Sequence, residues 1–182
     1  MITVLSCTNR KNSNTLKVAA HYVAVLQTLT TEDIQLIDMA ELPTDMFNSD
    51  MYNPANQSPA LRLIQENMMI PAQKFVFVAP EYNGSIPGVL KLFLDACSVY
   101  KMKETFKIGT KKACLVGLSS GRAGNLRGMI HLTGMLNYLN IQVLANQLPI
   151  SGVDSMIDAE GNLNHEATKA VVAAQCAEFL SF

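Results

Sequence analysis

Five residues near the start of the chain have the chemistry to hold an anion: Thr8, Arg10, Ser13, Asn14 and Thr15. They lie between a short apolar run, residues 2–5, and a helical pattern that opens near Leu16. The first turn of a helix offers free N–H groups and the positive end of its dipole, and both favour a negative ligand. The hydroxyls and the amide add donors, and Arg10 adds a fixed charge with a forked set of N–H groups. A simpler role is also open, in which Ser13 or Asn14 caps the helix and Arg10 stays in water. Counting excludes the better-known phosphate loops. Neither GxxxxGK[ST] nor GxGxxG is present, and a Cys-x5-Arg loop starting at Cys7 would need an arginine where Ser13 stands.

Two more polar stretches follow apolar runs. Residues 74–79 are apolar after Lys74, with β-branched or aromatic side chains over 75–78, which marks a buried strand. The run ends at Pro80 and passes into Glu81, Tyr82, Asn83, Gly84, Ser85, Ile86 and Pro87. Tyr82 reads either as part of a ligand wall or as a half-buried aromatic, and Glu81 either as an exposed carboxylate or as an interface partner. Residues 113–118 form the next apolar run, followed by Ser119, Ser120, Gly121, Arg122, Ala123 and Gly124. Here the choice is between a ligand border and an ordinary turn that caps the following helix.

The elements that must position these loops are legible from periodicity. Apolar strands are expected at residues 2–5, 33–37, 74–79, 113–118 and 141–144. Between them Leu16, Ala19, Val23 and Leu26, then Val89, Leu92, Phe93 and Ala96, then Met129, Leu132, Leu136 and Leu139, recur at helical spacing. A helix is expected over 59–67, an irregular connection over 39–59, and a closing helix with Val172, Cys176 and Phe179. Strands alternating with helices imply parallel pairing through right-handed crossovers. The expected fold is α/β: a flavodoxin-like, doubly wound, five-stranded parallel sheet in the order 2-1-3-4-5, with helices on both faces. Ligands of such sheets bind outside the carboxyl ends of the strands, at the switch point between strands 1 and 3. The loops after strands 1, 3 and 4 all open there.

Composition bounds the partners. A chain of 182 residues with 49% apolar and 16% charged residues is a globular chain that predicts one domain over 1–182. A net charge of -1 argues against nucleic acid, and no apolar run approaches membrane-spanning length. Cys7, Cys97, Cys114 and Cys176 lack metal spacing and fall mostly in apolar runs. With no basic-then-apolar leader, reduced thiols in a cytoplasmic protein are expected. His21, His131 and His165 are scattered outside the three loops, without metal partners, and read as solvated or packed.

The three loops together resemble one family. Residues 7–15 are similar to the G-[ST]-x-R-x-x-S-x-[NT] phosphate loop of NADPH-dependent FMN reductases, with Cys7 where that family commonly has Gly. Residues 80–91 resemble its P-E-Y-N-x-S-x-P-x-x-L-K signature, and residues 117–124 its G-x-S-x-G-x-x-G segment. The resemblance implies FMN as cofactor and NADPH, or NADH, as hydride donor. It places the flavin phosphate on Thr8, Arg10, Ser13, Asn14 and Thr15. It sets the ring against Pro80, Glu81, Tyr82, Asn83 and Gly84, bordered by Ser119, Ser120 and Gly121. Apart from the resemblance, Arg122 at the crevice edge is open to two roles, a bidentate hold on the 2′-phosphate of NADPH or a solvated place in the first turn of the next helix. The implied partner is a small-molecule electron acceptor (flavin, quinone, azo compound or metal oxyanion), and the implied assembly is a homodimer or homotetramer. A flavodoxin-type electron carrier is the alternative, but such carriers are expected to be strongly acidic for steering, and this chain is nearly neutral.

Overall fold

Strands buried on both faces need no alternation of polar and apolar residues, and the continuous apolar runs become strands of that kind. In the computed structural model, which describes residues 1–182, six strands form one parallel sheet. They are β1 (Ile2–Ser6), β2 (Ile34–Asp38), β3 (Lys74–Pro80), β4 (Lys111–Ser119), β5 (Ile141–Val143) and β6 (Leu148–Ser151). The order is β2-β1-β3-β4-β5, the flavodoxin-like order. The sequence reading has one strand fewer. β5 pairs with the start of β4, while β6 pairs with its end, from Val116 opposite Leu148 to Ser119 opposite Ser151. The last position in the sheet is therefore one strand broken in two. Pro149 hid the second half, because proline lacks an N–H and is tolerated only at an edge, which is where β6 lies.

The helices are α1 (Asn14–Leu29), α2 (Pro59–Ile64, prolonged by a wider turn over Gln65–Met69), α3 (Gly88–Val99), α4 (Met102–Thr105), α5 (Leu126–Tyr138) and α6 (Glu166–Ser181). Alternate strand residues divide the core between two layers. Ile2, Val4, Val76, Val78, Cys114 and Val116 pack on Val18, Tyr22 and Leu26 of α1 and on Val172, Cys176 and Phe179 of α6. Leu5, Phe75, Phe77, Ala113 and Leu115 face Leu61 of α2, Leu90 and Phe93 of α3, and Met129, Leu132 and Leu136 of α5. Each Val, Leu, Ile, Phe or Met among them contributes about 1.5–3 kcal/mol by leaving water. The long connection between β2 and α2 is irregular as expected, with three short 3₁₀ turns. Met39, Leu42 and Met46 anchor it in the core. No helix is long and apolar enough to cross a membrane.

The outer glycines of the 117–124 segment are packing residues. A Cβ on Gly117 would lie 2.2 Å from the Gly124 carbonyl oxygen, and one on Gly124 would lie 2.7 Å from Pro149 Cβ. Gly124 also has φ +54°. A Cβ on Gly121 meets nothing within 4 Å. Gly117→Ala is expected to cost about 3 kcal/mol or more through overpacking. Gly121→Ala should stay within about 0.5 kcal/mol of the parent. Urea unfolding of the two variants checks this, and equal midpoints would refute the packing role.

Candidate functional site

The three polar loops leave the sheet at one end because backbone bonds continue the parallel ladder beyond the strands. Cys7 N–H donates to the Val78 carbonyl at 2.9 Å, and Glu81 N–H to the Leu118 carbonyl at 2.8 Å. Gly152 N–H, after β6, donates to the Gly121 carbonyl at 3.0 Å. The result is one cavity of about 560 Å³. Its wall contains every residue singled out from the sequence: Thr8, Arg10, Ser13, Asn14 and Thr15, then Pro80, Glu81, Tyr82, Asn83 and Gly84, then Ser119, Ser120, Gly121 and Arg122.

In the first loop, Ser13 is the cap of α1 and accepts from Leu16 N–H at 3.1 Å. Capping and anion binding are compatible here, since the N–H groups of Asn14 and Thr15 have no acceptor within the chain. Arg10 is exposed and enters none of the ion pairs of the molecule. Cys7 does not need the freedom of glycine. The left-handed residue of this loop is Asn12, at φ 53°, a conformation that asparagine tolerates.

The second loop begins as a two-residue hairpin. Tyr82 and Ser85 exchange backbone hydrogen bonds of 2.9 and 3.0 Å around Asn83 (φ 51°) and Gly84 (φ +74°). This is the left-handed pair that an Asn-Gly turn favours. The Tyr82 hydroxyl lies 2.7 Å from Thr8 Oγ1 and joins the first loop to the second. At the hairpin base Ser85 Oγ lies 2.8 Å from His131 Nδ1. His131 is thus exposed but attached to the site's supporting hairpin, which its isolated position in the sequence does not reveal.

In the third loop, Ser119 does not cap α5. Its Oγ donates to the Gly121 carbonyl at 2.9 Å and accepts from Gly124 N–H at 2.8 Å, which fixes the loop on itself. The residue preceding α5 is Asn125, left-handed and fully buried, whose side-chain amide donates to the Ala79 carbonyl at 2.9 Å. The sequence reading missed it, as it missed Val153 and Asp154, which reach the cavity wall from beyond β6. Asp154 accepts from the Asn14 side-chain amide at 2.8 Å. Nothing local marks these two, because only the pairing of β6 with β4 brings them to the crevice.

A sequence profile of NADPH-dependent FMN reductases matches residues 1–154. The chain belongs to this family. It is an FMN-dependent oxidoreductase that draws on NAD(P)H. The family member NAD(P)H-dependent FMN reductase PA1204 of Pseudomonas aeruginosa is 29% identical over 175 residues, 96% of this chain and 91% of that one. A 2-hydroxy-1,4-benzoquinone reductase of a Burkholderia species is 40% identical over 100 residues, 54% of this chain and 53% of that one. Among solved structures, FerB of Paracoccus denitrificans, a flavoenzyme NAD(P)H:(acceptor) oxidoreductase, superposes with a TM-score of 0.75 at 21% identity. That match covers 99% of this chain and 94% of FerB.

The crevice fits the family's cofactor by its own chemistry. Its volume lies in the range of small-molecule sites. One end offers an unpaired guanidinium and free helix N–H groups for a phosphate. The hairpin offers a turn whose Gly84 has only Arg127 Cδ, at 3.9 Å, near the position of an added Cβ, so a planar ligand can approach the backbone. No cysteine lines the crevice. Cys7 is fully buried with Sγ donating to the Leu5 carbonyl at 3.4 Å, and burial pushes its pKa well above the usual thiol value. Burial likewise raises Cys97 and Cys114, and pushes Cys176 up to about 12. Since the thiolate is the reactive form, the native protein at pH 8 should show no fast-reacting thiol with a disulfide reagent, and four after denaturation. One rapid equivalent in the native state would refute the closed packing around these thiols.

Proposed function

We propose that the crevice binds FMN through the residues named above, and that the chain uses it to pass electrons from NADPH to a small quinone-type acceptor. One observation carries the reading: three loops distant in sequence line a single cavity in which two arginines, Arg10 and Arg122, have no carboxylate partner. Arg10 and the first turn of α1 would hold the phosphate. Backbone groups of Tyr82, Asn83 and Gly84 would meet the polar edge of the ring, with Ser119, Ser120 and Gly121 along its border. When bound, FMN supplies the hydride and electron chemistry, and the chain supplies position and polarity. The Burkholderia relative named for quinone reduction supports a quinone over the other acceptors. The whole chain, 1–182, would act as one FMN-binding domain, and the four reduced thiols fit the cytoplasm.

Arg122 is exposed at the crevice rim, where a bidentate contact to the 2′-phosphate of NADPH is open to it. Stopped-flow reduction of the FMN-loaded protein tests both parts. Wild type should reduce its flavin faster with NADPH than with NADH. Arg122→Ala should shrink that ratio by about tenfold, mainly through the NADPH Michaelis constant. Equal rates untouched by the substitution would remove the Arg122 role. Failure of both donors to bleach the flavin would favour an electron carrier instead.

The reading also includes a homodimer, or a tetramer built from two. Between α3 and α5 runs an apolar groove of about 870 Å³, lined by Ile86, Leu94, Met135 and Leu139. Tyr138, which also lines it, is 82% exposed, and Ile130 is 69% exposed. Patches of this kind mark interaction sites, and this one adjoins the hairpin of the crevice through Ser85 and His131. Tyr138→Asp is expected to weaken the pair at least tenfold in sedimentation equilibrium. A wild type that sediments as a monomer at tens of micromolar would end the idea.

A further inference from the structure

We infer that the Tyr82 hydroxyl is a positioning group for the flavin phosphate: by donating to Thr8 it turns the Thr8 proton towards the anion, and so selects FMN over riboflavin. The inference rests on the FMN reading above. Thr8 is 1% exposed, and its hydroxyl oxygen has two neighbours. Arg10 N–H donates to it at 3.3 Å, and the Tyr82 hydroxyl lies 2.7 Å away. A threonine hydroxyl has one proton and two lone pairs. The Arg10 N–H occupies one lone pair. If Thr8 donated its proton to Tyr82, it would present only a lone pair to the cavity, and an anion would be repelled. With Tyr82 as donor both lone pairs are occupied, and the Thr8 proton is left for a third partner. Thr8 lines the cavity together with Arg10, Ser13 and Thr15, so that partner is whatever anion lies among them.

A phosphate oxygen accepts and does not donate, so its arrival fixes the direction of the whole chain, Tyr82 to Thr8 to phosphate. Hydrogen bonds in series polarise one another, and a bond to an ionised acceptor is stronger than a neutral one. Tyr82 therefore acts on the phosphate without touching it, from the second loop. Riboflavin has the same ring and no phosphate, and gains nothing from the relay. Tyr82 thereby has two separable parts: its backbone at the ring edge and its hydroxyl at the phosphate end.

The experiment titrates the full-length chain, freed of flavin, with FMN and with riboflavin, following flavin fluorescence. Tyr82→Phe and Thr8→Val are each expected to lower the ratio of FMN to riboflavin affinity about tenfold. Thr8→Ser, which keeps the hydroxyl, should retain the wild-type ratio. The double variant should lose no more than either single one, because both break the same chain. Thermal midpoints of the flavin-free proteins separate these effects from misfolding, and if Thr8→Val does not fold, Tyr82→Phe alone decides. Equal losses for both flavins in Tyr82→Phe would place the hydroxyl at the ring and overturn the relay. An unchanged ratio would mean that Tyr82 turns away when the ligand binds, which also overturns it. A wild type that does not prefer FMN, together with an Arg10→Ala variant that changes nothing, would overturn the phosphate loop itself and the relay with it.

Discussion

Everything at the crevice depends on parallel backbone pairing that does not stop where the strands stop. The bonds from Cys7 to Val78 and from Glu81 to Leu118 hold the first residues of each loop at a common height above the sheet. A buried N–H left unpaired there would cost on the order of 1–3 kcal/mol. The loops therefore cannot slide without losing more than their own side chains return. The register that follows is strict: Ser6 stands opposite Val78, and Pro80 opposite Leu118. Side chains then need only short reaches to meet, as Thr8 and Tyr82 do. Parallel strands with buried faces supply this precision because a shift of one residue would exchange the side chains of the two core layers, Phe75 and Phe77 for Val76 and Val78.

The polar residues of the site divide by what they already hold. Ser13, Ser119 and Asn125 are committed to the chain, to Leu16, Gly124 and Ala79 respectively. Arg10, Arg122 and Glu81 have no ion-pair partner and face the cavity. Preorganised hydroxyls and free charges are different resources. The first shape the cradle and keep it from collapsing, and the second give a ligand something to bind. The glycines of the third loop divide in the same way, with Gly117 and Gly124 filling close contacts against each other and β6, and Gly121 open to the cavity.

Sheet order and the three loops were legible in the sequence because each depends on local signals: apolar runs, turn residues and helix starts. Val76 and Val78 on one face and Phe75 and Phe77 on the other made β3 unmistakable as a buried strand. What escaped was set by tertiary pairing. Pro149 makes residues 148–151 look like a loop, yet their edge position removes the cost of the missing N–H. Asp154 reaches the crevice only because β6 ends there. Asn125 resembled an ordinary turn residue, although its burial and its bond to Ala79 tie the third loop to the second. His131 gave no signal at all, since its partner Ser85 lies on another element.

Cys7 shows how a side chain at a redox site can be present without taking part. It stands at the start of the first loop, where an exposed thiolate would be open to oxidation. Its side chain instead belongs to the core layer that contains Leu5 and Phe77, and it does not line the cavity. Burial disfavours the thiolate, and the Leu5 carbonyl engages the remaining proton. The backbone of Cys7 is ladder and its side chain is core, so both are fixed by packing. Reactivity at the crevice is left to whatever the arginines, the helix end and the hairpin bring in, which is the division of labour a cofactor-dependent oxidoreductase requires.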